Sequence, residues 1–294
     1  MLMNRWLRLG QLARSSKGKR AGAGYTITEV LIVLSVTTLM FIFIATAFMG
    51  RQRRAEFNQS VRNFEAMLQT IISETANGSY QSSKECTIFG GQPRLSSVTK
   101  QPGTNKDCIF LGKVIAGRQS QAEVFTVLGS RLNSTSADVA SLAEAAPRAM
   151  VLGGAPPNDV DLTAEIPFSY GLQIRAIYGM TAGGGNGPTY RSFGFLHQLG
   201  GGAALTSPLS GSRSVLLYGV EGASPIQDTD LARTGAADVT GPNLRLLPNG
   251  LRICLGGADA TRDQRAEITI GENNSQTTIN VLVDTGTTGV CGSV

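Results

Sequence analysis

Residues 30–49 are the feature that most constrains this chain of 294 residues. Their sequence, VLIVLSVTTLMFIFIATAFM, contains no charged residue, no proline and no glycine. A helix of this length is about 30 Å long, which matches the hydrocarbon thickness of a bilayer. A core helix of a globular protein rarely stays apolar on every face for so many residues. The run therefore predicts a membrane-spanning helix.

The charges on either side of the run indicate its orientation. Residues 1–24 contain six basic residues and no acidic one, and three arginines follow the run at positions 51, 53 and 54. The positive-inside rule therefore places residues 1–24 in the cytoplasm and the C-terminal bulk of the chain outside. A cleaved secretory signal has a shorter apolar stretch followed by small residues, whereas here the small residues 21–24 come first.

The formal net charge of +5 comes from the same N-terminal segment. Six of the 26 basic residues lie in residues 1–24, which leaves 20 basic against 21 acidic residues in the rest of the chain. No basic patch interleaved with aromatic residues remains there, so the sequence predicts no specific nucleic acid as a partner.

Glu29 stands at the start of the apolar run, where a carboxylate is costly unless it finds a partner. An interfacial glutamate that faces lipid headgroups is one interpretation. A second interpretation of Glu29 comes from its neighbours. Residues 24–33 (GYTITEVLIV) closely resemble the prepilin signature of type IV pilins and type II secretion pseudopilins. Tyr25 stands where that family more often has Phe, and Thr28 where it usually has an aliphatic residue.

The resemblance implies a maturation pathway. A dedicated peptidase would cut between Gly24 and Tyr25 at the cytoplasmic membrane face, residues 1–24 would be discarded as a leader, and Tyr25 would be N-methylated. Glu29, the fifth residue of the mature chain, would guide assembly. The new amine of Tyr25 is positively charged, and Glu29 of a neighbouring subunit can neutralise it, which would fix the axial register between subunits.

Beyond Gly50 the sequence becomes amphipathic. Six residues fall at intervals of three and four on one face of a helix: Phe57, Val61, Phe64, Leu68, Ile71 and Thr75. Asn77-Gly78 ends the pattern, since Gly suits a left-handed cap. The sequence therefore predicts one helix over residues 25–77, transmembrane over about 30–49 and packed on a globular domain in its second half.

Short β-type runs separated by Gly, Pro, Asn and Ser clusters dominate the globular head, residues 78–294. The predicted strands cover residues 108–116, 122–128, 168–178, 190–196, 213–220, 251–255, 266–270 and 277–283. We expect a short helix in residues 131–150, capped near Ser136 or Asp138. The stretch TAGGGNGP at 181–188 is predicted to be a flexible loop or linker and the point of any subdivision of the head. The predicted fold class is α+β, with a long N-terminal helix on a Gly-rich antiparallel sheet, which resembles the pilin architecture.

All four cysteines lie on the predicted outer side of the membrane, where disulfides form. Four cysteines allow three pairings. The local pairing, Cys86 with Cys108 and Cys254 with Cys291, is favoured because each loop then stays within one half of the head, and the second loop resembles the C-terminal disulfide region of many pilins. Unpaired buried thiols are the alternative. A zinc site is not expected, because no C-x-x-C spacing occurs.

Two features that could suggest an enzyme have simpler interpretations. His197, the sole histidine, has no nucleophile motif beside it and is predicted to be a surface or loop residue. Asp284-Thr285-Gly286 resembles the aspartic-protease motif, but it occurs once, and only eight residues follow it. A strand end followed by a turn is the better interpretation, so we predict no enzyme, no metal and no cofactor.

Three function classes follow from the sequence. The first is a structural subunit of a type IV pilus or related filament, whose partners would be copies of itself, related pilins, the prepilin peptidase and methylase, an inner-membrane assembly platform and, before assembly, the lipid bilayer. The second is a pseudopilin, or a minor or tip pilin, of a secretion or DNA-uptake system. The third is a surface enzyme that keeps the apolar run as an uncleaved anchor. The predicted location is the cytoplasmic membrane before assembly and the cell exterior afterwards.

Overall fold

A computed structural model of the chain describes residues 25–78, 84–99, 107–118, 120–133, 135–150, 162–199, 215–222, 244–257, 264–271, 277–283 and 291. The helix α1 spans Ile27–Ala76. The strands that follow are β1 (Lys84–Phe89), β2 (Gln92–Thr99), β3 (Cys108–Gly117), β4 (Gln121–Ser130), β5 (Arg148–Ala149), β6 (Thr163–Pro167), β7 (Leu172–Met180), β8 (Asn186–His197), β9 (Val215–Glu221), β10 (Leu244–Leu246), β11 (Leu251–Gly257), β12 (Arg265–Ile270) and β13 (Ile279–Val283). The predicted α+β class is confirmed.

The chain divides after Arg51 into two compact units. Within the described residues, the first unit is the apolar part of α1. The second unit begins at Gln52 and contains the rest of α1 and all the strands.

In the second unit, eleven strands form one antiparallel sheet. Its main path runs β13-β12-β11-β7-β8-β3-β4-β5, while β6 also pairs with β4, and β9 joins β8 to β10. Each of the eight predicted strand runs overlaps a strand of this sheet. The hairpin of β1 and β2 forms a separate two-stranded sheet.

The second half of α1 covers one face of the large sheet. All six residues of the predicted stripe are buried, from Phe57 to Thr75. The five apolar residues of the stripe share one core with apolar residues that alternate along the strands, such as Ile115, Phe193 and Ile253. The alternation follows from the two-residue period of a strand, which sends every second side chain to the same face. The stripe and its role in core packing are therefore confirmed.

Apolar residues on the opposite face of the sheet form a second core. Leu111, Phe125 and Val127 meet Val139 and Ala145 there, in the segment between β4 and β5. This segment corrects the prediction of a short helix in residues 131–150, because its described part consists of turns, one bridge between Leu132 and Asp138, and β5. Positive φ angles at Ser136 and Ala146 interrupt any helix within the expected range.

The strand predicted at 168–178 also needs correction. Phe168 precedes a 3₁₀ turn at Ser169–Gly171, and β7 begins only at Leu172. Tyr170 has a φ of 53°, a left-handed conformation that an extended strand does not contain. The turn is held against α1, because the Ser60 hydroxyl donates to the Ser169 carbonyl at 2.7 Å and the Phe64 and Phe168 rings meet edge to face at 5.3 Å.

The Gly-rich stretch at 181–188 is not a boundary between two domains. Residues 181–185 form the turn that connects β7 to β8, and β8 itself starts at Asn186. Since β7 and β8 pair with each other, the stretch lies inside the second compact unit.

Candidate functional site

The start of α1 is built from the residues of the prepilin-like signature. Gly24 lies outside the described residues, and Tyr25 precedes the helix with 82% of its surface exposed. The amide of Glu29 donates to the Thr26 carbonyl at 3.0 Å and to the Thr26 hydroxyl at 3.3 Å. A threonine whose side chain accepts from the third helical amide is an N-cap, and glutamate at that third position is the second half of the capping-box pattern.

The segment after Glu29 presents apolar side chains outward. Ile32, Leu34, Phe41, Phe43 and Phe48 are each more than half exposed. The most apolar window of α1 has a mean hydropathy of 2.5 and none of it is buried. Of the described residues, α1 is the one helix long and apolar enough to cross a membrane.

The hydroxyl groups of this segment bond to the helix itself. Ser35, Thr37, Thr38 and Thr46 each donate to a carbonyl three or four residues earlier, at distances from 2.7 to 3.0 Å. Their donors are therefore satisfied without water, as an apolar environment requires. Between positions 25 and 50, Glu29 is the only charged residue in the sequence.

Two disulfides lie in the second unit, and both are the local pairs favoured from the sequence. Cys86 of β1 bonds to Cys108 at the start of β3, with 6.1 Å between the Cα atoms, and ties the small hairpin to the large sheet. Cys254 of β11 bonds to Cys291, with 5.6 Å between the Cα atoms. The second bond is buried against Ala176.

A buried arginine that is not among the predicted site residues holds the Gly-rich turn. Arg252 of β11 donates to the Glu267 carboxylate at 2.6 Å, to the Asn186 side chain at 2.8 Å and to the Gly184 carbonyl at 2.9 Å. The one signal in the sequence is a single arginine in the apolar strand LRICLGG and a single glutamate inside RAEITI, which also begins with Arg265. Since buried charges need partners, these two residues could have been predicted to pair.

The Tyr190 ring fills a slot between two glycines, one on β7 and one on β9. Tyr190 lies where β8 stops pairing with β7 and begins to pair with β9. A Cβ atom added at Gly219 would lie 2.4 Å from the Tyr190 ring, and one at Gly179 would lie 2.7 Å from it. Both glycines are therefore required by close approach of the ring. Burial, with the nearby Glu221 carboxylate, raises the pKa of the Tyr190 phenol, and burial raises the pKa of the Tyr218 phenol.

The two residues that could have suggested an enzyme have different outcomes. His197 is 3% exposed, so its prediction as a surface or loop residue is wrong. It lies inside the sheet because β8 continues through His197, which pairs with Val215, and its ring lies 6.1 Å from that of Phe110. Asp284 lies outside the described residues, and β13 ends just before it at Val283.

No protein-family model matches this sequence, and no curated protein and no solved structure matches it either. The similarity to prepilins therefore rests on the residues around Gly24 and Glu29, on the exposed apolar helix and on the α+β architecture.

Proposed function

We propose that this chain is a subunit of a type IV pilus or a related filament. It is made as a precursor, cleaved after Gly24, N-methylated at Tyr25 and polymerised through the first half of α1. The observation that carries this proposal is the position of Glu29, the one charged residue between positions 25 and 50, in the first turn of a helix whose apolar window is not buried by any described residue.

The chemistry of cleavage supports a role for Glu29. Hydrolysis of the bond before Tyr25 creates an ammonium group four residues before the carboxylate of Glu29. Outside the membrane, the exposed apolar segment needs a new cover, and the same segment of other copies supplies one of matching length and character. Within such a bundle an unpaired charge is costly, so the Tyr25 amine of one copy and Glu29 of another favour one axial register.

The second unit supports an exported head. Disulfides persist in oxidising compartments, and the two bonds here lie on the side of the apolar segment that the basic leader orients outward. The proposed partners are the prepilin peptidase and methylase, an inner-membrane assembly platform, the bilayer before assembly, and copies of this chain or related pilins afterwards.

A specialised role, as a pseudopilin or a minor or tip pilin, is favoured over a major subunit by the size of the head, residues 78–294. A bulky head occupies more of the filament surface for each subunit added. The abundance of the protein in sheared filaments distinguishes the two roles: a major subunit dominates the sheared fraction and a specialised one is scarce there.

Cleavage is tested with Gly24→Asp, which places a charged side chain at the residue before the cut. We expect the full-length precursor to accumulate in membranes on an immunoblot. Gly18→Asp makes the same change elsewhere in the leader and should be processed normally. Cleavage of Gly24→Asp at the same bond, or an intact Met1 on the mature wild-type protein, would contradict the proposal. The intact Met1 would favour an uncleaved membrane anchor.

Assembly is tested at Glu29. Glu29→Val should be processed normally but absent from filaments, because the Tyr25 amine loses its partner. Glu29→Gln removes the charge while keeping a side chain that can complete the capping box. If both variants are absent from filaments, the negative charge of Glu29 is what assembly requires. Normal incorporation of Glu29→Val would remove the register argument.

A further inference from the structure

The helix start has a feature that the prepilin resemblance does not assign. α1 begins at Ile27, directly after Thr26, and the Thr26 hydroxyl accepts the hydrogen bond of the Glu29 amide at 3.3 Å. The Thr26 carbonyl also accepts from the amides of Glu29 at 3.0 Å and Val30 at 3.2 Å. Thr26 is therefore the residue at which the chain changes from non-helical to helical conformation.

The position of this change matters for the bond before Tyr25. Tyr25 lies outside the helix and is exposed, and only Thr26 separates it from the first helical residue. A peptidase must take the cut segment in a non-helical form, because helical hydrogen bonding withdraws the backbone from its cleft. An N-cap side chain fixes where the helix starts, and at a membrane face an unsatisfied amide is more costly than in water.

We propose that Thr26 is a positioning residue for leader cleavage: its hydroxyl fixes the start of α1 at Ile27, so that the bond before Tyr25 is presented to the peptidase at a constant distance from the helix. The inference rests on the proposed function and adds a residue to it. Without the cap the helix starts at several positions, and only part of the population offers the bond in the correct place.

Thr28 provides a matched comparison on the same turn. It lies inside the helix, and its hydroxyl meets the Thr26 hydroxyl at 3.1 Å. Thr26→Val and Thr28→Val each replace a hydroxyl with a methyl group at residues two positions apart, but only the first removes the side-chain acceptor of the Glu29 amide. Thr26→Ser restores an acceptor in a smaller side chain.

The experiment is a time course of leader removal from the full precursor in membranes that contain the peptidase. We expect Thr26→Val to be cleaved about fivefold more slowly than the wild type, the population change that follows from loss of a typical N-cap. Thr26→Ser and Thr28→Val should stay within about twofold of the wild type. In detergent micelles, the Glu29 amide of Thr26→Val should exchange its hydrogen faster than in the other three proteins.

Each contrary result has a distinct meaning. If the wild type is cleaved after Gly24 and Thr26→Val is cleaved at the same rate, the inference is overturned and the proposed function still stands. The same holds if Thr28→Val is slowed as much, or if Thr26→Ser does not restore the rate. A wild-type chain that is never cut before Tyr25 would overturn the proposed function and the inference together. All variants are compared at equal amounts of membrane-inserted precursor, so that poor insertion is not counted as slow cleavage.

Discussion

The two halves of α1 differ in whether their apolar side chains are exposed or buried. In the first half, large apolar side chains such as Leu34 and Phe43 are exposed. In the second half, the apolar residues form one stripe, and Val61 and Leu68 have no exposed surface. An apolar side chain stabilises a fold only where something removes it from water. The second half finds that cover in its own sheet, whereas no described residue covers the first half, for which we propose lipid and other copies of the chain.

The largest expected effect comes from removing the first half altogether. A chain that begins at Arg53, exported behind a cleavable secretory signal, should be a soluble monomer with both disulfides formed, because the second unit keeps its stripe, its sheet and its cores. Size-exclusion chromatography and membrane sedimentation measure this. Filaments formed by this truncated chain, or its partition into membranes, would show that association does not reside in the apolar half of the helix.

A single leucine in each half sharpens the comparison. Leu68→Ala should lower the free energy of unfolding of the head by about 2–5 kcal/mol, because it leaves a cavity in the core between α1 and the sheet. Leu34→Ala removes the same atoms from a side chain that is 60% exposed and should leave the denaturation midpoint of the head unchanged. Chemical denaturation of the full chains in detergent checks both, and equal effects would mean that the two halves do not differ as described.

The smallest effect is expected from a pair of serine hydroxyls. Ser60 donates to the Ser169 carbonyl at 2.7 Å, across to the turn before β7, whereas Ser35 donates to the Ile32 carbonyl of its own helix at 2.8 Å. Ser60→Ala should cost about 1 kcal/mol of head stability, the usual net contribution of one hydrogen bond. Ser35→Ala should cost the head nothing. The same denaturation experiment measures both, and a stable Ser60→Ala head would show that this bond does not hold the turn.

Local patterns predicted the elements well. The stripe from Phe57 to Thr75 gave the helix its buried face, and the predicted range 25–77 differs from Ile27–Ala76 by two residues at one end and one at the other. The run of residues 251–255 gave β11 in the same way. Such predictions succeed because period and capping depend on residues a few positions apart. The candidate residues Tyr25 and Glu29 were predicted from the same kind of local pattern and stay a prediction.

Contacts between distant residues were missed. The flexible loop expected at 181–188 is a hairpin turn held by Arg252, about 70 positions away. His197 was expected outside the core because nothing near it in sequence shows that Val215 pairs with it. The slot of Tyr190 depends on Gly179 and Gly219, which belong to two other strands. The residue type shows that a glycine allows close approach or that an arginine or histidine is polar, but it does not identify the residue that lies against it.

The sequence by itself determined the apolar segment, the uneven charge on its two sides, the prepilin-like signature and the alternation of helix stripe and strands. Each of these depends on hydropathy, charge or spacing along a short stretch, and those properties act before the chain has folded. Tertiary structure decided the order of the eleven strands, the placement of the turn at 181–185, the burial of His197 and the two faces of the sheet that form cores. These depend on which segments, distant in sequence, pack against each other and exclude water from their contact. A local sequence pattern does not specify those partners.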